Sequence, residues 1–308
     1  MESAFSIQST LKPDQVAVLM IEQAVIKHAT RYDKVFFKAV LAGLMLSFGG
    51  LMNELVNAGS TTLAQENPAL VKILGGFVFP TGFVLIVMLG LELLTSNMMV
   101  FPMAVVKKAI PWWSLPVNWI IVTFGNLCGS LFSAAILVRY SGIVSTEPYL
   151  SGFIAYTEKK AVTPEWHQIF LRGIGCNILV CLAVWLASGA KETTSKLIAI
   201  WIPIWIFVAV GFDHGKVDIS ANMFYVPLGI MFGADLSTAG YIRKSLIATY
   251  LGNIVGAAIV WAPAVYLYLG DYSPAGLIEE AEEGKVNSKD SNRRSSAATT
   301  LSKGGSQI

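Results

Sequence analysis

Six separate runs of apolar residues, approximately 39–58, 70–103, 112–138, 168–189, 197–232 and 245–269, constrain this chain more than anything else in it. A hydrocarbon core of about 30 Å is crossed by roughly 20 helical residues, and the runs reach that length. Backbone polar groups surrounded by lipid must be satisfied within the chain, so such runs cross as helices. Charged residues make up 14% of the chain against 54% hydrophobic, whereas a soluble domain carries about a quarter charged. The sequence therefore predicts an all-α, multi-pass membrane protein.

Several function classes drop out. The net charge of +2 is small and the basic residues are scattered, which argues against nucleic acid. Cys128, Cys176 and Cys181 all lie inside apolar runs, with neither disulfide-framework nor zinc-ligand spacing. With His28, His167 and His214 as the only histidines, haem and di-iron enzymes are excluded and no cofactor is expected. Residues 1–38 carry Lys12, Lys27, Arg31, Lys34 and Lys38 and do not resemble a cleaved signal. They read as a cytoplasmic amphipathic helix on the membrane surface, followed by a six-span domain over 39–270. The stretch 271–308, rich in Glu, Lys, Arg and Ser, reads as a disordered cytoplasmic tail. Lys107, Lys108, Lys191, Lys196 and the basic flank before the first run fall on one side. The positive-inside rule makes that side cytoplasmic, with both termini inside.

The second and fifth runs are interrupted, by Glu92 and Thr95-Ser96-Asn97 in one and by Asp213 through Asn222 in the other. Both interruptions end alike, in Thr95-Ser96-Asn97-Met98 and Ser220-Ala221-Asn222-Met223. The third and sixth runs share Gly125-Asn126-Leu127-Cys128-Gly129 and Gly252-Asn253-Ile254-Val255-Gly256. Three spans followed by three related spans give an inverted repeat with broken second and fifth helices, the pattern that places a transport site at the repeat interface. Half-helix N-termini at the breaks would present unpaired N–H groups, which suit an anion. Kinks without function are the competing account.

His214, after Gly211-Phe212-Asp213, is a titratable side chain at membrane depth and a functional candidate by default; a neutral histidine joining helices is the alternative. Asn177 would donate to a solute or bridge helices equally well. Lys160 reads from composition as a loop lysine. The Gly-Asn-x-x-Gly pairs read as close-packing devices rather than ligands. Phe79, Phe83 and Phe207 flank the breaks, where they form constrictions or simply pack.

On Leu93-Leu94-Thr95-Ser96-Asn97, Phe124-Gly125-Asn126-Leu127, Gly173-Ile174-Gly175-Cys176-Asn177, Leu182-Ala183-Val184-Trp185 and Gly211-Phe212-Asp213-His214 with Ala221-Asn222-Met223, the chain resembles the formate/nitrite transporter family over about residues 30–270. Within it the chain looks most like fungal nitrite permeases, which implies a part in nitrate assimilation. The resemblance implies an aquaporin-like homopentamer in the plasma membrane, not an enzyme, passing nitrite or formate together with a proton. It implies that His214 is the central pore histidine and Thr95 its hydroxyl partner on the loop of the broken second helix, with Asn177 and Asn222 nearby. Lys160, or Lys159 one residue away, would be the vestibule lysine. Phe79, Phe83, Leu94, Val180 and Phe207 would form the constrictions, Leu94 replacing the aromatic ring of bacterial formate channels. One departure concerns spacing: Glu92 to Met98 is six steps, whereas Asp213 to Met223 is ten. Four extra residues, including Lys216 and Asp218, are expected at the pore centre and are expected to be dispensable. Neutral-acid passage is the expected mechanism, with electrogenic anion flow or an aquaporin-like neutral-solute channel as the rival readings.

Overall fold

The computed structural model describes residues 10–210, 218–270 and 272, the side chains of Lys160 and Ala161 excepted. Helix α1 (Pro13–Ala29) precedes the first span, α2 (Tyr32–Gly59). A short α3 (Thr61–Glu66) leads into the second span, built from α4 (Pro68–Val78), α5 (Pro80–Met88) and α6 (Leu94–Val106). The third is α7 (Ser114–Phe132), continued as a π-helix over Ser133–Tyr140. After α8 (Tyr149–Ala161) comes the fourth span, α9 (Trp166–Gly189), then the broken fifth, α10 (Thr193–Ala209) and α11 (Ile219–Phe232). The sixth starts in α12 (Thr238–Tyr241), passes a π-helical segment at Ile242–Leu246 and ends with α13 (Ile247–Tyr268). Among the described residues five helical runs are long and apolar enough to cross a membrane, and α6, α10 and α11 are shorter apolar helices. Large apolar side chains such as Phe48, Ile120, Phe124, Leu171, Ile202 and Ile259 are exposed, as expected of a surface that meets lipid or neighbouring subunits.

The inverted repeat is visible in the packing. The two most extensive helix pairs are α2 with α7 and α9 with α13, the first and third spans of each half. In both pairs the glycines of the Gly-Asn-x-x-Gly motif let backbones touch. A Cβ at Gly129 would lie 1.9 Å from the Val40 carbonyl oxygen, and one at Gly256 2.4 Å from that of Ile174. The half-helices correspond position by position: from their first residues Leu94 and Ile219, Asn, Met and Pro recur together at Asn97, Met98 and Pro102 and at Asn222, Met223 and Pro227.

Each face of the bundle gathers one set of loops. Leu11 N–H donates to the Gly189 carbonyl at 2.9 Å and Lys107 Nζ to that of Gly270, so the basic flanks read from sequence share a face. On the other, Arg139 Nε donates to the Met231 carbonyl and Asp235 N–H to Glu158. Helix α1 lies against the first face and buries Val16, Ala17, Met20, Ile21 and Ala24, contacting α6, α9 and α13. Its apolar stripe is turned onto protein, not simply onto a membrane surface. The tail expected over 271–308 falls, Tyr272 aside, outside the described residues.

Candidate functional site

The first break starts where α5 stops. Gly90 takes a left-handed conformation, φ 62°, with Gly90 N–H donating to Val87 O at 3.2 Å and Leu91 N–H to Ile86 O at 3.0 Å; this is the Schellman arrangement that ends a helix. Leu91, Glu92 and Leu93 follow, and α6 begins at Leu94. The break is therefore Leu89–Leu93, and Thr95, Ser96 and Asn97, expected in it, form the first turn of α6. A helix can begin there because another span supplies its cap. Leu94 N–H donates to Asn126 Oδ1 at 3.0 Å, while Asn126 Nδ2 donates to Ala39 O at 2.8 Å and Glu92 O at 2.9 Å.

The second break repeats the device. Ile219 N–H donates to Asn253 Oδ1 at 3.1 Å, and Asn253 Nδ2 donates to Gly173 O at 2.9 Å. The motif asparagines are thus more than packing devices: each caps a half-helix from the span beside it. Asp218 adds a second cap, its carboxylate accepting from Ser220 N–H at 2.8 Å and Ala221 N–H at 3.3 Å. Asp218, expected to be dispensable as one of the extra residues, therefore has a capping role of its own. A deletion that shortens this break has to spare Asp218. His214 and Lys216 lie outside the described residues, as does all of 211–217.

Asn177 joins the breaks. Its Nδ2 donates to the Asn253 carbonyl at 2.8 Å and the Thr95 carbonyl at 3.4 Å. Along this path lie four buried polar atoms with no hydrogen-bond partner among the described residues: Thr95 Oγ1, Asn177 Oδ1, Ser220 Oγ and Asn222 Nδ2. Thr95, Asn177 and Asn222 were candidates from sequence; Ser220 was not, although it is the repeat mate of Thr95.

The apolar candidates are all buried. Phe79, Phe83, Val180 and Phe207 share one core cluster, with the Phe79 and Phe207 rings 5.6 Å apart and nearly perpendicular, while Leu94 belongs to the neighbouring cluster. Lys160 lies near the end of α8, so the structure places its backbone only; Lys159 is exposed. A cavity of about 350 Å³ opens on the α1 face, lined among others by Phe83, Glu92, Ser96, Lys27, Lys38 and Lys196. Lys27 Nζ donates to Glu92 Oε2 and to Asn97 Oδ1, each at 2.8 Å. Asn97 Nδ2 donates in turn to Glu92 and Asn118. Lys27 looked like one more basic flank residue in the sequence, and nothing local to it signals this role.

A profile of the family described as formate/nitrite transporter matches residues 14–268. The chain belongs to the formate/nitrite transporter family. It is 37% identical over 258 residues to a "Probable formate transporter" of Methanothermobacter thermautotrophicus, covering 80% of this chain and 92% of that one. It is 33% identical over 259 residues to "Uncharacterized transporter YHL008C" of Saccharomyces cerevisiae, covering 84% of this chain and 40% of that longer protein. A solved structure described as "Pentameric formate channel with formate bound" superposes with a TM-score of 0.66 at 31% identity, over 77% of this chain and 98% of that one. Membership makes the protein a multi-pass transporter or channel rather than an enzyme, and its six-span inverted repeat is the aquaporin-like fold of the family.

Proposed function

We propose that the protein carries a small monovalent weak-acid anion, nitrite and also formate, across the membrane together with a proton, through a pore centred on His214. The observation that carries this reading is the pair of half-helix N-termini set beside unpartnered polar groups, with buried aromatic and aliphatic side chains around them. Taking a bare anion through such surroundings costs about 20 kcal/mol in the idealised case and several after relaxation. Protonation removes most of that barrier. Lys160 and the dipole of α6 would concentrate the anion, and it would cross as the neutral acid, hydrogen-bonded in transit by His214, Thr95, Asn177 and Asn222. Phe79, Phe83, Leu94, Val180 and Phe207 would exclude hydrated ions.

Formate enters through the names of the archaeal relative and of the solved channel; nitrite rests on the likeness to fungal permeases. A homopentamer is supported by the description of that same channel, and native mass spectrometry with a pentamer as the main species tests it. The gathering of basic flanks on the α1 face supports both termini being cytoplasmic, with the plasma membrane as the site.

The decisive experiment is uptake of labelled formate and nitrite into proteoliposomes at two external pH values, with and without a clamped potential. Uptake should rise as external pH falls and change little on clamping. A strictly voltage-driven flux indifferent to pH would instead mean electrogenic anion flow. His214→Phe should assemble and lose transport; wild-type rates from it would remove His214 from the centre. The opposed half-helices also suit a passive neutral-solute channel, which glycerol-driven swelling without acid uptake would reveal.

A further inference from the structure

The bridging hydrogen bonds of Asn177 fix which way its amide points. Nδ2 faces two carbonyl oxygens, of Asn253 and Thr95, and only the nitrogen end can donate to them. The oxygen end therefore points elsewhere, and this Oδ1, on a residue with 0% exposure, has no partner among the described residues. An amide oxygen accepts and cannot donate. Facing a bare anion it is repulsive; facing a protonated monoacid it accepts the acid O–H.

Ser220 supplies the complementary group. It is the second residue of α11, fully buried, and its Oγ is likewise unpartnered among the described residues. Asn177 and Ser220 are connected through Asn253, whose carbonyl takes the Asn177 amide and whose Oδ1 takes Ile219 N–H, one residue before Ser220. The N–H groups of Ser220 and Ala221 are already occupied by the Asp218 carboxylate. The start of α11 thus offers an anion little backbone, and a hydroxyl instead.

We propose that Asn177 Oδ1 and Ser220 Oγ are specificity contacts for the uncharged form of the transported monoacid, the amide oxygen accepting the acid O–H and the serine hydroxyl donating to the other acid oxygen. No bond to hydrogen is broken: the acid keeps the proton it acquired in bulk water. The inference rests on the transport reading above and adds to it a site that selects the protonation state.

The test compares two probes in proteoliposomes holding the assembled protein: formate, whose conjugate acid is weak, and chloride, which crosses only as the anion. Asn177→Leu should lower formate uptake about tenfold or more, as expected on loss of a buried hydrogen-bond partner, with chloride leak within about twofold of wild type. Wild-type formate uptake in an assembled Asn177→Leu, or equal loss of both fluxes, would overturn the proposal. Ser220→Ala removes an atom that bonds to nothing described and so should assemble even where Asn177→Leu does not. It should lower formate uptake several-fold, with Ser220→Thr restoring it, and wild-type uptake in Ser220→Ala would equally overturn the pairing. An unmodified protein that moves no formate would instead defeat the transport reading itself.

Discussion

At the start of α6, Asn97 is held by Lys27, Glu92 and Asn118, and Trp119 Nε1 donates to its carbonyl; at the same place in α11, Asn222 Nδ2 has no partner among the described residues. The preceding position differs in the opposite sense. Asp218 caps α11 with its own carboxylate, whereas Leu93 has no side chain able to cap α6. Two half-helices of common pattern have thus divided the work. The first break ties its acidic residue to the N-terminal helix, through a salt bridge between Lys27 and Glu92, and leaves its N-terminal backbone without a side-chain cap from Leu93. The second quenches its backbone and leaves side chains open. Two breaks alike in sequence thus differ in which polar groups they satisfy.

The strongest challenge to this comparison is removal of what the breaks share. Asn126→Leu and Asn253→Leu each strand a half-helix N–H and at least one buried carbonyl, at about 1–3 kcal/mol per unsatisfied group. Each should lower the thermal midpoint of the detergent-solubilised protein more than Glu92→Gln, Asp218→Ala or Lys160→Ala does. A variant as stable as wild type would mean that the cap is not what starts its half-helix. Glu92→Gln tests what is particular to the first break. With Lys27 left without its carboxylate but still near Asn97, and partly exposed, the cost should be about 1–2 kcal/mol, and protease access to α1 should increase. Unchanged protection of α1 would show that the ion pair does not hold it.

Asp218→Ala tests what is particular to the second, at about 1 kcal/mol for a lost N-cap, read from chemical denaturation beside Leu93→Ala as the uncapped counterpart. Lys160→Ala should have the smallest effect. Attraction in a wet vestibule is screened by salt, so the apparent affinity for formate should weaken a few-fold while saturating flux stays unchanged. Should Lys159→Ala do this instead, the register along α8 is one residue off.

Hydropathy alone was enough for six spans, and two interruptions ending in Asn-Met were enough for an inverted repeat, because solvent preference and helical continuity are local properties of a chain. The recurrence of Gly-Asn-x-x-Gly marked the close approach of α2 with α7 and of α9 with α13 for the same reason: a missing Cβ matters wherever it sits. What those motif asparagines bind was not legible. Asn126 reaches the first residue of α6 from 32 positions away and Asn253 the first of α11 from 34, and such partners exist only once the spans pack. The same holds for Lys27 and Glu92, 65 residues apart, and for Asp218, which looked like part of an insertion until its carboxylate met two N–H groups. Sequence determined which segments enter the membrane and which two of them break; tertiary structure decided where the half-helices start and which polar groups at the breaks are satisfied and which, Ser220 among them, have no partner among the described residues, because a buried hydrogen bond depends on what packing brings within about 3 Å.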